Sequence, residues 1–353
     1  MTEVRDRVCA CLRCDPPCVE SPSPEIVAYA RNHRIDLLLA DRLRPPEFAG
    51  ELRAASAMEA IRERELKSVL AVLADAGVRA VIIKGASIAQ THYPRPELRP
   101  RSDTDLLVAA DQREATARAL MTLGYEQPPE TDGPLTVGQF HFQRLDRYEL
   151  LHALDVHWRI SNVRAFSDSL TYEEVIRDAI AIPALGPHAL SPSGAHALLI
   201  ACVHLVAHHG DSDCLLWLFD VHLLASRLTP GARDGFAALA AARGLRAVCA
   251  STLERARTAF EGIEEDWIES LKPEASDNEP SAAFLGASLR QVDLLKADLK
   301  ATPRLPDRLR LVAEHLFPSA TYMHARYGLR FRLALPFLYV HRAVSGAPKW
   351  FRR

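Results

Sequence analysis

The chain has no stretch approaching the roughly 20 apolar residues that a bilayer-spanning helix needs. Its first residues, "MTEVRDRVCACLRCDPPC", contain acidic side chains and no long apolar core, so no secretory signal is expected and a cytoplasmic location is. Charge of neither sign prevails. The 43 Lys and Arg stand against 45 Asp and Glu, and the formal net charge of -2 gives no global reason to expect nucleic acid as a partner. Cysteine is scarce and odd in number: seven in all, four of them Cys9, Cys11, Cys14 and Cys18. Structural zinc sites pair two Cys-x2-4-Cys knuckles across a loop, and this cluster has no second half. The plainer reading is a short N-terminal helix with small soft side chains packed on a neighbour. What remains is an ordinary globular composition, 48% apolar and 25% charged, across 353 residues, enough for two or three subdomains.

Periodicity divides the chain into three parts. Residues 1–78 form an N-terminal helical segment. Ile26, Ala30, Ile35 and Leu39 keep helical spacing, and "ELRAASAMEAIRERELKSVLAVLADAG" reads as a long helix closed by Gly77. Residues 79–188 change character and form the core. "RAVIIKG" is a β-branched strand ending in glycine, "ASIAQTHY" a helix starting from that glycine, and "DTDLLVA" a second strand. Asp111 and Glu114 have the spacing of a capping box before a helix that stops at Gly124, and "GQFHFQRL" and "LLHALDVHWRI" alternate as a hairpin joined by "DRYE". Residues 189–353 return to helix, beginning at "SPSG". The expected fold class is α+β: a small mixed sheet flanked by N-terminal and C-terminal helical segments.

"RPRSDTDLLV" sets Asp103 and Asp105 on one face of a strand, with Thr104, Leu106 and Val108 on the other. Adjacent carboxylates repel, and a half-buried strand is a poor place for either. In "LDVHW", Asp155 and His157 likewise share a face. If the two strands are neighbours, three carboxylates converge, an arrangement that divalent cations make favourable and that suits in-line attack on phosphorus. Gly85 permits close approach at a strand-to-helix turn, where free amides favour phosphate. Ser87 adds a hydroxyl, and Arg99 and Arg101 lie close in sequence.

"VIIKGAS", "YPRPELRPRSDTDLLV", "LDVHW" and "HLVAHHGDSDCLLWLFDVHLLA" together resemble the uncharacterised nucleotidyltransferase family within the DNA polymerase β-like nucleotidyltransferase superfamily, over roughly Leu38 to Leu228. The superfamily's glycine-serine turn, D-x-D strand and later carboxylate fall on Gly85 and Ser87, on Asp103 and Asp105, and on Asp155. The 17 residues between Gly85 and Asp103 exceed the gap in compact superfamily members, and a helix and loop shaping the nucleotide pocket are expected there. The resemblance implies a nucleotidyltransferase core at residues 79–188 that moves a nucleoside monophosphate from a nucleoside triphosphate, ATP among them, to an acceptor hydroxyl on a small molecule, peptide or protein, with release of pyrophosphate. It implies Mg2+, or Mn2+ in its place, held by Asp103, Asp105 and Asp155, and phosphate charge neutralised by Lys84, Ser87 and Arg101 around Gly85. Addition to RNA ends and an inactive nucleotide-binding regulatory module are the alternatives. The modest net charge argues against the first, and retention of all three carboxylates against the second.

Other polar residues are weighed against plainer roles. His157 is an orienting group or a packed histidine beside Trp158. His204 and His208, spaced i, i+4, with His209 and Asp220, read as a polar seam between two helices that faces the acceptor; H-E-x-x-H is absent. The basic, acid-free end "RYGLRFRLALPFLYVHRAVSGAPKWFRR" would contact an anionic membrane peripherally or a nucleic acid backbone, or dock its apolar face as a terminal helix, with Pro336 interrupting any long helix.

Overall fold

The computed structural model describes residues 2–13, 22–129, 133, 135–210, 212–273, 279–286, 290–328 and 331–351. Helices α1 (Thr2–Arg13), α2 (Pro24–Asn32), α3 (Asp36–Leu43) and α4 (Ala49–Asp75) come first. Cys9 and Cys11 on α1 are buried in the core, as the packed-helix reading expects, while Cys14 and Cys18 lie outside the described residues. The periodic run from Ile26 to Leu39 is two helices instead of one. Arg34 takes φ 57° between them, yet all four apolar residues still reach the core. Gly77 follows α4 at φ 75°, the left-handed position that ends helices cheaply.

A four-stranded sheet then forms from β1 (Val81–Ile83), β2 (Thr104–Leu107), β3 (Gln139–Leu145) and β4 (Leu151–His157), in the spatial order β1-β2-β4-β3. Strand β1 is antiparallel to β2, β2 is parallel to β4, and β3 and β4 are the expected hairpin. Its turn is fastened by the Asp146 carboxylate, which accepts from the Tyr148 and Leu150 amides at 2.8 and 3.0 Å. Helices α5 (Lys84–His92) and α6 (Arg113–Thr122) follow β1 and β2. The expected capping box at Asp111 is not formed: α6 starts one residue later, after Gln112, with no side-chain cap. A full box does form from Thr171 and Glu174 at α8 (Tyr172–Arg177), just after the short α7 (Arg164–Ser167). The two-residue strands β5 (Ile180–Ala181) and β6 (Leu190–Ser191) complete this region.

The remaining elements are helical: α9 (Gly194–His209), α10 (Leu215–Ser226), α11 (Pro230–Ala242), α12 (Arg246–Phe260), α13 (Glu265–Leu271), α14 (Gln291–Ala301), α15 (Leu305–Leu316), α16 (Ala320–Tyr327) and α17 (Leu335–Phe351). Pro336 does not interrupt α17. It occupies the first turn, where its missing N–H has no intrahelical partner to lose. Helix α17 docks through buried Leu338 and through Arg342, whose Nη1 donates to the His315 carbonyl at 2.8 Å, while Phe337, Val340 and Val344 stay exposed. Among the described residues no helix is long and apolar enough to cross a membrane.

Strand alternation sorts the core into two layers. Ile82, Leu106, Leu154, Val156 and Phe142 face α4 and α6, joining Leu66, Leu70, Leu73 and Leu120. Val81, Ile83 and Leu107 point to the other face and join the larger cluster built on α5, α9, α10 and α12. That second face also carries Asp105 of β2, Gln139 and His141 of β3, and Asp155 and His157 of β4.

Candidate active site

Register decides which polar side chains meet. Asp105 pairs with Asp155 across the parallel β2–β4 ladder, and His141 pairs with Asp155 across the hairpin. Register partners present their side chains to the same face, so the three stand in a row across the sheet. One step along, His157 pairs with both Leu107 and Gln139. Oxygens of Asp105 and Asp155 and a ring nitrogen of His157 lie within 4.8 Å of one another, a grouping that can hold a cation.

Asp105 is buried, and burial alone would push its carboxyl up. Lys84 and His157 outweigh that and hold it well below the usual carboxylate range. Lys84 Nζ donates to Asp105 Oδ1 at 2.6 Å, and His157 Nε2 donates to the same oxygen at 2.8 Å. Lys84 reaches this position from a backbone with φ 53°, a left-handed conformation that costs a side-chain-bearing residue about 1–3 kcal/mol. His157 is therefore both packed and orienting. Asp155 accepts from His141 Nδ1 at 2.8 Å and from Gln139 Nε2 at 3.2 Å. Asp103 sits just ahead of β2, outside the tightest grouping. Burial pushes its carboxyl up, and the charges of Asp105 and Asp155 push it further, so the three carboxylates feel one another.

Lys84, Asp103, Asp105, Gln139 and Asp155 line a cavity of about 280 Å³ between the sheet and the ends of α5, α9 and α10, together with Arg34, Gly85, Arg99, Arg101, Ser102, His204, His208, His209 and Trp217. Arg99 comes from the segment between Gly85 and Asp103. Its Nε lies 3.2 Å from both oxygens of Asp220, and its Nη2 donates to Asp220 Oδ2 at 2.7 Å. Tyr93 Oη donates to Asp220 Oδ1 at 2.8 Å. Burial works against the Arg99 charge, but the Asp220 carboxylate outweighs it and holds the guanidinium above its ordinary value. Asp220 is only 3% exposed, so it is the anchor of Arg99 and not an acceptor-facing group. Arg101 is anchored from α4, with Nη2 donating to Glu59 Oε1 at 2.7 Å, while its buried Nε and Nη1 have no hydrogen-bond partner.

The expected phosphate role of Ser87 does not survive. Two residues past Gly85 is about 200° around the helix, which turns Ser87 into the body. There its Oγ lies 2.7 Å from Ser191 Oγ on β6, with 1% of the residue exposed. Gly85 also has a different reason from the one expected. A Cβ there would stand 2.1 Å from Arg99 Nη1, so the glycine makes room for the guanidinium. His204, His208 and His209 do line the cavity. His204 and His209 meet Nε2 to Nε2 at 3.0 Å, and burial is the first cause holding all three below the usual imidazole range, His208 at about 3 and His209 at about 4. Sequence reasoning missed Gln139 and His141, although strand alternation in "GQFHFQRL" puts both on one face.

A mixed sheet with register-paired aspartates on the face that opens to a cation-walled cavity defines an α+β protein whose sheet and helices share one polar cleft. The chain belongs to the uncharacterised nucleotidyltransferase family, whose model matches residues 21–261, from just before α2 to just after α12. No curated protein matches the chain.

Proposed function

We propose that the protein transfers a nucleoside monophosphate from a nucleoside triphosphate to an acceptor hydroxyl on a small molecule, peptide or protein. A bond forms between the acceptor oxygen and the α-phosphorus, the bond from that phosphorus to the β-phosphate bridging oxygen breaks, and pyrophosphate leaves. The observation that carries this reading is the direct pairing of Asp105 with Asp155 on the face shared with Lys84, Arg99 and Arg101.

The donor set fits a divalent cation: the Asp105 and Asp155 carboxylates approach within 4.8 Å, and Asp103, its carboxyl raised by burial and then by these two charges, stands beside them. Asp105 and Asp155 would hold Mg2+ or Mn2+, with Asp103 adjacent and His157 fixing the Asp105 carboxylate through its hydrogen bond. A bound ion of this kind polarises the phosphoryl oxygens and neutralises charge as the phosphate transfers. Arg99, rigid on Asp220, grips triphosphate oxygens at the start of α5, and the free nitrogens of Arg101 add donors. Lys84 neutralises Asp105 and is within reach of the same phosphates. Asp155, oriented by His141 and Gln139, accepts the proton of the attacking hydroxyl.

Incubation with radiolabelled nucleoside triphosphates, Mg2+ and cell extract tests this. Label should move to a discrete acceptor with release of pyrophosphate, and Asp105→Asn and Asp155→Asn should each reduce transfer by at least about 100-fold while the circular dichroism spectrum is kept. Undiminished transfer by both variants would refute the reading.

A further inference from the structure

The wall of the cavity opposite the sheet is aromatic. The His209 ring stacks on Trp217 with centroids 3.4 Å apart and planes 16° from parallel. His209 Nε2 also lies 3.0 Å from His204 Nε2. Both stacked rings line the cavity, which gives it an aromatic surface. Burial and the neighbouring cations Lys84, Arg34 and Arg99 keep His209 neutral, which leaves it an aromatic surface and not a repelling charge.

Position along α10 indicates what this surface receives. Trp217 stands three residues before Asp220, one turn away on the same side of the helix. Asp220 fixes Arg99 against Gly85, so the aromatic pair adjoins the cationic end of the cavity. Asp155 and Gln139, from β4 and β3, line the same cavity. A molecule with phosphates at Arg99 and a flat ring close by would place that ring on Trp217 and His209, leaving the Asp155 side to a hydroxyl.

Building on the nucleotidyl-transfer reading, we infer that the Trp217–His209 pair is the nucleobase subsite, and that it favours purine over pyrimidine nucleoside triphosphates. Two fused rings cover more of the platform than one, and base–aromatic stacking is a large enough effect to rank nucleotides. Recognition by stacking is tolerant between adenine and guanine, because each offers a similar π-face.

Calorimetric titration of the full chain with ATP, GTP, CTP and UTP in Mg2+, and with inorganic tripolyphosphate in Mg2+, tests the assignment. The wild type should bind ATP and GTP more tightly than CTP and UTP. Trp217→Ala should weaken ATP by about tenfold or more, level the purine preference and leave tripolyphosphate affinity in place. Trp217→Phe, which keeps a ring, should restore most of the ATP affinity. If Trp217→Ala binds ATP as the wild type does, or loses ATP and tripolyphosphate in parallel, the subsite is refuted while nucleotide binding stands. If the wild type binds neither ligand, the nucleotidyl-transfer reading fails and the subsite with it.

Discussion

Gly85 and Arg99 occupy a space with no room for one more carbon, since a Cβ on residue 85 would fall 2.1 Å from Arg99 Nη1. Arg99 cannot yield easily, because its side chain is buried and bound through Nε and Nη2 to Asp220. Gly85→Ala should therefore destabilise the protein by about 1–3 kcal/mol, the usual cost of overpacking. Arg99→Ala is itself costly because it leaves buried Asp220 unpaired, but Gly85→Ala should cost less in the Arg99→Ala background than in the wild type, because the clash goes with the guanidinium. Thermal melts of the two single variants and the double variant measure this, and simple additivity would show that the two residues do not compete for the same space.

Lys84 is the cation next to Asp105, with Nζ 2.6 Å from the carboxylate. Lys84→Met would leave that buried carboxylate with only the His157 hydrogen bond, and removing one partner of a buried pair costs about 3–5 kcal/mol. A divalent ion held by Asp105 and Asp155 would replace the missing charge. The variant should melt well below the wild type without Mg2+ and gain more from added Mg2+ than the wild type does. Equal Mg2+ responses in the two proteins would show that no ion shares Asp105 with Lys84.

The Arg99–Asp220 pair separates stability from site geometry. Asp220→Asn keeps the shape but removes the charge, and should cost about 3–5 kcal/mol because the guanidinium is left uncompensated. Tyr93→Phe removes one hydrogen bond to Asp220 and should cost about 1 kcal/mol. The double replacement Arg99→Met with Asp220→Leu should restore much of the stability lost in Asp220→Asn, since well-packed apolar pairs often match buried ion pairs. It should not restore binding of nucleoside triphosphate. Denaturant melts alongside nucleotide titration distinguish the two, and recovered binding in the double variant would remove Arg99 from the phosphate site.

What was legible in the sequence followed local rules. Alternation placed Asp105, Asp155 and His157 correctly on their strand faces, and the hairpin and the mixed sheet followed from short polar turns between alternating runs. Long-range partners were not legible. Arg99 finds Asp220 across 121 positions and Arg101 finds Glu59 across 42, pairings set by how α10 and α4 pack, which no local spacing encodes. Ser87 was misplaced because the superfamily pattern was carried over without following the rotation of the helix past Gly85. The capping pattern at Asp111 and Glu114 lost to a helix that starts one residue later, while Thr171 and Glu174, with the same spacing, formed the box.

The buried imidazoles predict an acid sensitivity with a defined window. Burial, with Lys84 and His157 next in effect, holds His208 at about 3, whereas an unfolded chain protonates histidine near 6.5. Between those values the unfolded state binds the extra proton, so the stability present above about pH 6.5 is lost as pH falls toward 3. The slope for His208 is about 1.4 kcal/mol per pH unit within the window. His204, lowered in the same direction, and His209, at about 4, steepen the response. His208→Gln, neutral at every pH, should lessen the dependence of urea-melt stability on pH between 6.5 and 4, while above pH 7 its curve should run parallel to that of the wild type. Parallel curves throughout the acid range would mean that His208 takes up a proton as readily in the folded protein as in the unfolded chain.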